Sequence, residues 1–287
     1  MSPAAFWQMP WRLVLFILDL RASMIQKIKV GELDVAYQFD GPADRPVILM
    51  SNSLMSNISM WDPTLPALTD RYRVLRYDTR GHGRTSVTPG PYSIAMLADD
   101  AVGLLDALNI RQAHIIGLSM GGMIAQQLGA RYSDRVLSLL LCDTASEMPP
   151  RSMWEERLAI ARTQGIPGLV EGTIKRWFTE SFINRAPKEI AKVREMILGT
   201  PVEGYMNCAG AVRDMAQTTM LLKITAPTLV ITGRQDPACT VDQSTVLHRM
   251  INTSRMAVIE NAAHLSNIEQ PEVFNREIRN FLETISD

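Results

Sequence analysis

One stretch, Ala113 to Ala125, restricts what this chain can fold into more than any other. It opens on an apolar run, passes through the pattern G-x-S-x-G at Gly117-Leu118-Ser119-Met120-Gly121, and continues with apolar residues at helical spacing. The pattern predicts a strand, a sharp turn and a helix. A serine on such a turn is forced into strained torsions. Only small neighbours let the incoming strand and the outgoing helix pass so closely, which accounts for Gly117 and Gly121. The first N–H groups of the helix then lie beside the serine oxygen, where they can stabilise an oxyanion. Ser119 is therefore a candidate nucleophile, and the Met120 N–H a candidate oxyanion donor.

Serine is a weak nucleophile at neutral pH unless a histidine base is in reach and an acid orients that base. The chain offers four histidines. His264 falls in a loop between the last predicted strand and the last helix, and Asp236 falls in Gly233-Arg234-Gln235-Asp236-Pro237, just past another strand. Asp143, also at a strand end, is the reserve candidate for the acid. His82, between two glycines in a turn, reads as structural or pocket-lining, and His114 and His248 read as bystanders. The loop Ser51 to Asn57 follows the third strand and is placed to supply the second oxyanion donor, with the Ser53 N–H as candidate.

The 287 residues, 46% hydrophobic, suffice for a sizeable core, and a formal net charge of −1 leaves no electrostatic footprint for nucleic acid or an anionic membrane. Cys142, Cys208 and Cys239 form no C-x-x-C pair, so they read as reduced structural residues in a cytoplasmic protein that binds neither metal nor cofactor. Residues 1–23 are apolar but interrupted early by Asp19 and Arg21. The run is too short to span a bilayer and lacks the pattern of a signal peptide, so it reads as an extension of unknown role, with the folded part beginning near Met24.

From there strands and helices alternate, which implies a mostly parallel sheet flanked by helices. The alternation breaks after the sixth strand. Residues 146–222 read as a helical lid punctuated by proline, inserted between the core segments 24–145 and 223–287. A strand-turn-helix G-x-S-x-G followed by Asp and then His resembles the α/β-hydrolase fold. More narrowly, the chain resembles the 3-oxoadipate enol-lactonases in Ser51-Asn52-Ser53-Leu54, Met60-Trp61-Asp62, Arg76 to Gly83, Gly117 to Met123 and His264 to Pro271. The lid pieces Arg176-Trp177-Phe178-Thr179, Gly204-Tyr205 and Arg213-Asp214-Met215 are similar too. It departs at Met55, where the family usually has glycine, and at Ala216, where an acidic residue is usual.

The resemblance implies a small-molecule lactone substrate, opened to an oxo-dicarboxylate in aromatic-compound catabolism (the β-ketoadipate pathway). In that reading Ser119 attacks, His264 transfers protons and Asp236 orients His264. The substrate carries a carboxylate, and Arg176, beside Trp177, and Arg213 are the candidate partners. Rival readings are an esterase or lactonase acting on another small ester, a C–C-bond hydrolase with the same triad, and a non-catalytic ligand-binding relative. A protein begun at Met24 is expected to fold and to keep full activity; aggregation of that truncated form would show instead that residues 1–23 cover apolar surface.

Overall fold

The computed structural model describes residues 24–285, so the expectations for residues 1–23 lie outside the described residues. Eight strands form one sheet: β1 (Gln26–Val30), β2 (Leu33–Asp40), β3 (Val47–Ser51), β4 (Arg73–Tyr77), β5 (Ala113–Leu118), β6 (Val136–Cys142), β7 (Thr228–Gly233) and β8 (Ser254–Ile259). Their spatial order is β1-β2-β4-β3-β5-β6-β7-β8. The pairings β1 with β2 and β2 with β4 are antiparallel and all others are parallel. Every residue of β5 and of β7 is buried. A strand covered on both faces is mostly apolar and does not alternate, which is how these two read, with His114, Thr228 and Thr232 as buried polar exceptions.

Helices α1 (Ile94–Ala107) and α2 (Met120–Arg131) connect the central strands. Between β6 and β7 the chain leaves the sheet for α3 (Arg151–Gln164), α4 (Val170–Trp177), α5 (Glu180–Arg185), α6 (Pro187–Leu198) and α7 (Val202–Asp214). It returns through β7, α8 (Val241–Met250) and β8, and closes with α9 (Ser266–Glu269) and α10 (Pro271–Glu283). Capping sets several of these starts. The Ser93 side chain accepts from the Met96 N–H, and Thr240 forms a reciprocal box with Gln243.

The chain runs from β3 outward to β4 on one side and comes back to β5 on the other. Such a reversal opens a crevice beyond the C-terminal ends of the strands. Ser51 at the end of β3 pairs with Gly117 near the end of β5, so the loop after β3 and the turn after β5 are neighbours by register. The described part of the chain contains no helix long and apolar enough to cross a membrane.

His114, in β5, is a core residue: its Nδ1 lies 2.8 Å from the Ser138 hydroxyl and its ring stands edge-on to Tyr72. Burial pushes it down to about 4, and burial does the same to His82. Both are therefore neutral when folded while an unfolded histidine titrates near 6.5, so the stability they contribute is complete above about pH 6.5 and is lost as pH falls toward 4. The unfolding midpoint in urea is expected to drop between pH 7 and pH 5, and His114→Gln to flatten that drop. An unchanged pH slope in the variant would show that His114 does not contribute to it.

Candidate active site

Ser119 has φ +57° and ψ −117°, a conformation L-residues avoid. Its neighbours leave no alternative. A Cβ on Gly117 would lie 2.1 Å from the Gly121 carbonyl oxygen, and one on Gly121 would lie 1.9 Å from that of Ser51. The strained peptide is held by the Ser119 N–H donating to Cys142 O at 2.9 Å and by the Thr144 hydroxyl donating to Ser119 O at 2.7 Å. The Ser119 side chain caps no N–H of α2 and opens onto a cavity that it shares with His264. Met120 N–H, in the first turn of α2, has no intrahelical partner by geometry.

His264 and Asp236 meet as the sequence pairs them: His264 Nδ1 lies 2.7 Å from Asp236 Oδ2, with both side chains buried. The other carboxylate oxygen, Oδ1, accepts from the N–H groups of Ala238 (2.7 Å) and Cys239 (3.0 Å), fixing the Asp-Pro turn. Burial alone would lower the His264 pKa, but the Asp236 charge and hydrogen bond outweigh it and the net shift is upward. Asp143, the reserve acid, does not bond to His264; it accepts from Gly233 N–H and Ser266 Oγ instead.

The loop after β3 is clamped from below. Asn52 donates to Tyr77 O at 2.8 Å and accepts from Trp61 Nε1 at 2.8 Å, joining the ends of β3 and β4 to the short turn Ile58–Trp61. Ser53 lines the cavity, and its N–H rests on the Met60 sulfur at 3.3 Å. Met55 has φ +65°, which explains why glycine is at ease there and why Met55 needs a restraint. His82 provides it: its Nε2 accepts the Met55 N–H at 3.0 Å, while Nδ1 lies 3.3 Å from Arg80 O. The ring is neutral, its pKa pushed down by burial.

The chain matches the family described as alpha/beta hydrolase fold over residues 46–271. This chain belongs to the α/β-hydrolase family. Two enol-lactonases of Acinetobacter baylyi are similar to this hydrolase: 3-oxoadipate enol-lactonase 2, 38% identical over 85% of this chain and 92% of that one, and 3-oxoadipate enol-lactonase 1, 36% identical over 93% and 99%. Among solved structures, the enol-lactonase from Burkholderia xenovorans superposes with a TM-score of 0.88 at 37% identity, covering 90% of this chain and 100% of that one. The resemblance read from the sequence motifs is thereby borne out.

In this hydrolase the cavity measures about 170 Å³ and is walled by Met123, Met148, Met153, Trp154, Trp177 and Val212, among others. Arg176 and Arg157 also line it. Neither is ion-paired with a carboxylate among the described residues, although Arg157 Nη2 donates to the Thr173 hydroxyl at 3.3 Å and the charges of Asp236 and Glu156 reach Arg176. Burial, and secondly the charge of Arg157, lower the Arg176 pKa. Arg157 Nε is buried without a hydrogen-bond partner among the described residues. Arg213, expected at the substrate, does not line the cavity. It grips Asp214, its neighbour in sequence, at 2.6 and 2.9 Å. Among the cavity residues that the sequence reading did not assign to the site are Arg157 and Met55. Arg157 sits on α3, which is charged on several sides, so only packing reveals which arginine faces inward. Met55 carried a signal in its departure from glycine, and its sulfur reaches 3.7 Å from Arg157 Nη2.

Asp236, Cys239 and His264 bring ligand-type atoms within 4.8 Å of one another. That cluster is ill suited to a cation, because Asp236 and His264 are engaged with each other and burial pushes the Cys239 thiol far up. Asp236→Asn is expected to lower kcat by about 10⁴-fold, on the scale seen when a triad acid is neutralised. Since a base works only when unprotonated, the wild-type acid limb should lie above the ordinary histidine value and move down in the variant. An unmoved limb would mean that His264 is not the group titrating.

Proposed function

We propose that this hydrolase opens the enol-lactone of 3-oxoadipate to 3-oxoadipate, as the names of its relatives suggest, through a serine acyl-enzyme. The observation that carries the reading is a small apolar cavity holding Ser119 and His264 together with two arginines that lack a carboxylate partner. Cations without a carboxylate in contact, set in a largely apolar wall, favour an anionic ligand, and a lactone bearing one carboxylate answers both features.

In this mechanism the Ser119 oxygen bonds to the lactone carbonyl carbon as His264 Nε2 takes the hydroxyl proton. The ring C–O bond then breaks, and the enol oxygen receives that proton. Water, deprotonated by the same nitrogen, attacks the acyl-enzyme, and the Ser119 oxygen leaves with the proton returned. The second carboxylate is formed in this step, and the free enol tautomerises to the oxo acid. Asp236 holds the imidazole tautomer with its proton on Nδ1 and favours the imidazolium. Met120 and Ser53 N–H groups receive the oxyanion. A thioether is a weak acceptor, so the bond from Ser53 to Met60 yields readily to a charged oxygen. The helical insertion from α3 to α7 acts as the lid that carries both arginines and Trp177. The three cysteines, buried and free, fit a reducing compartment such as the cytoplasm.

Arg176→Met and Arg157→Met should each reduce kcat/KM for the carboxylated lactone by about 30-fold, the equivalent of roughly 2 kcal/mol for a charge-assisted hydrogen bond. A neutral lactone of similar size should be little affected. Equal losses on both substrates, or none, would mean that neither arginine reads the carboxylate, and would favour a general small-ester hydrolase.

A further inference from the structure

Of the buried acids among the described residues that the mechanism leaves unused, Asp143 is the one tied to both the Asp236 turn and the His264 loop. Asp143 follows β6 directly, with φ +45°, and is fully buried. Its carboxyl joins two loops. Oδ1 accepts the Gly233 N–H at 2.8 Å, where β7 gives way to the turn carrying Asp236. Oδ2 accepts the hydroxyl of Ser266, two residues beyond His264, at 2.6 Å. Its own N–H donates to Ile231 O at 2.8 Å, so the residue is anchored on β7 as well. The two loops it joins are already in backbone contact: a Cβ on Gly233 would lie 2.1 Å from Ala263 O. A tie across so short a gap transmits position with little slack.

We propose that Asp143 is a positioning residue for the serine hydrolysis described above. It fixes the His264 loop against the Asp236 turn and, once ionised, serves as a second anionic centre for the imidazolium that forms as Ser119 attacks. The inference rests on the triad reading of the same site.

Burial, and then the negative charge of Asp236, raise the Asp143 carboxyl to about 8, against the pull of His264 and its two hydrogen-bond donors. The other titratable groups close by are the Cys142 and Cys239 thiols, which burial keeps neutral, and Arg176, which acts on Asp236 and His264 from the cavity side. As pH rises past that value Asp143 gains a charge facing the imidazole. Its carboxylate then favours the protonated ring of the transition state, so kcat should climb a second time above the His264 limb.

The test compares pH profiles of kcat for the full chain, Asp143→Asn, Ser266→Ala, Asp236→Asn and the Asp143→Asn/Asp236→Asn double variant, with thermal melts alongside. Asp143→Asn keeps an acceptor for Gly233 but no charge, so it should lose the alkaline rise while KM stays close to wild type. Ser266→Ala keeps the charge and cuts the tie, so it should lower kcat by about tenfold with the alkaline rise intact. The double variant should fall at least about tenfold below Asp236→Asn, because the remaining acid no longer backs up the base. If Asp143→Asn does not fold, the Ser266→Ala result decides alone. Superimposable profiles for Asp143→Asn and wild type, or an unaltered kcat in Ser266→Ala, overturn the proposal. Ser119→Ala and His264→Ala serve as controls in the same assay. Should they stay active, the triad reading fails and this inference with it; should they be inactive while Asp143→Asn and Ser266→Ala are normal, only this inference fails.

Discussion

The backbone of Ser119 stands outside the ordinary torsional wells, a state that carries about 1–3 kcal/mol of strain and survives only where the surroundings over-determine it. The surroundings do so by packing. The strand before Ser119 and the helix after it approach until the oxygen of Ser51 or of Gly121 occupies the space of a side chain, and only glycine fits at those two positions. The same approach brings the loop after β3 against the serine, aims the helix N-terminus at it, and sets the level at which β6, β7 and β8 must end for an acid and a base to reach it. The loop after β3, the Asp236 turn and the His264 loop are thus all arranged around one cramped peptide.

The cavity sets a second condition. Two guanidinium groups in a mostly apolar enclosure repel one another and lose hydration, and the consequence is legible in Arg176, whose charged form is disfavoured by burial and by Arg157. A natural fold tolerates such an arrangement where a ligand supplies the missing charge. Beside His264 the balance is opposite: against the cost of burial, the Asp236 carboxylate on its Nδ1 raises the imidazole pKa, so an imidazolium is favoured. Positive charge arrives from the helical insertion and negative charge from the sheet, and a polarised ester lies naturally between them.

Much of this was legible beforehand because buried parallel strands are written as apolar runs ending in turn residues. Ser119 follows the end of β5 directly, and Asp236 and His264 lie in the short loops after β7 and β8, which is why all three stood out. The helical insertion was less readable. Its helices mix arginine, glutamate and apolar residues, and which arginine points inward depends on contacts with α7 and the core, not on local spacing. Arg157 was therefore missed and Arg213 misplaced, although the adjacent Asp214 offers Arg213 a partner at once. The Met60 sulfur on the Ser53 N–H has no signature in sequence, since it depends on how a seven-residue loop folds back on itself.

One backbone hydrogen bond has mechanical meaning for turnover. Leu265 N–H donates to Trp177 O at 3.1 Å, and Glu269 accepts from both the N–H and the hydroxyl of Thr179, so the end of α4 is stitched to the segment that follows His264. A wall of the cavity and the loop that carries His264 are thereby held as one piece. Moving α4 outward would have to part that stitching, so Trp177 and the loop that carries His264 keep one another in place.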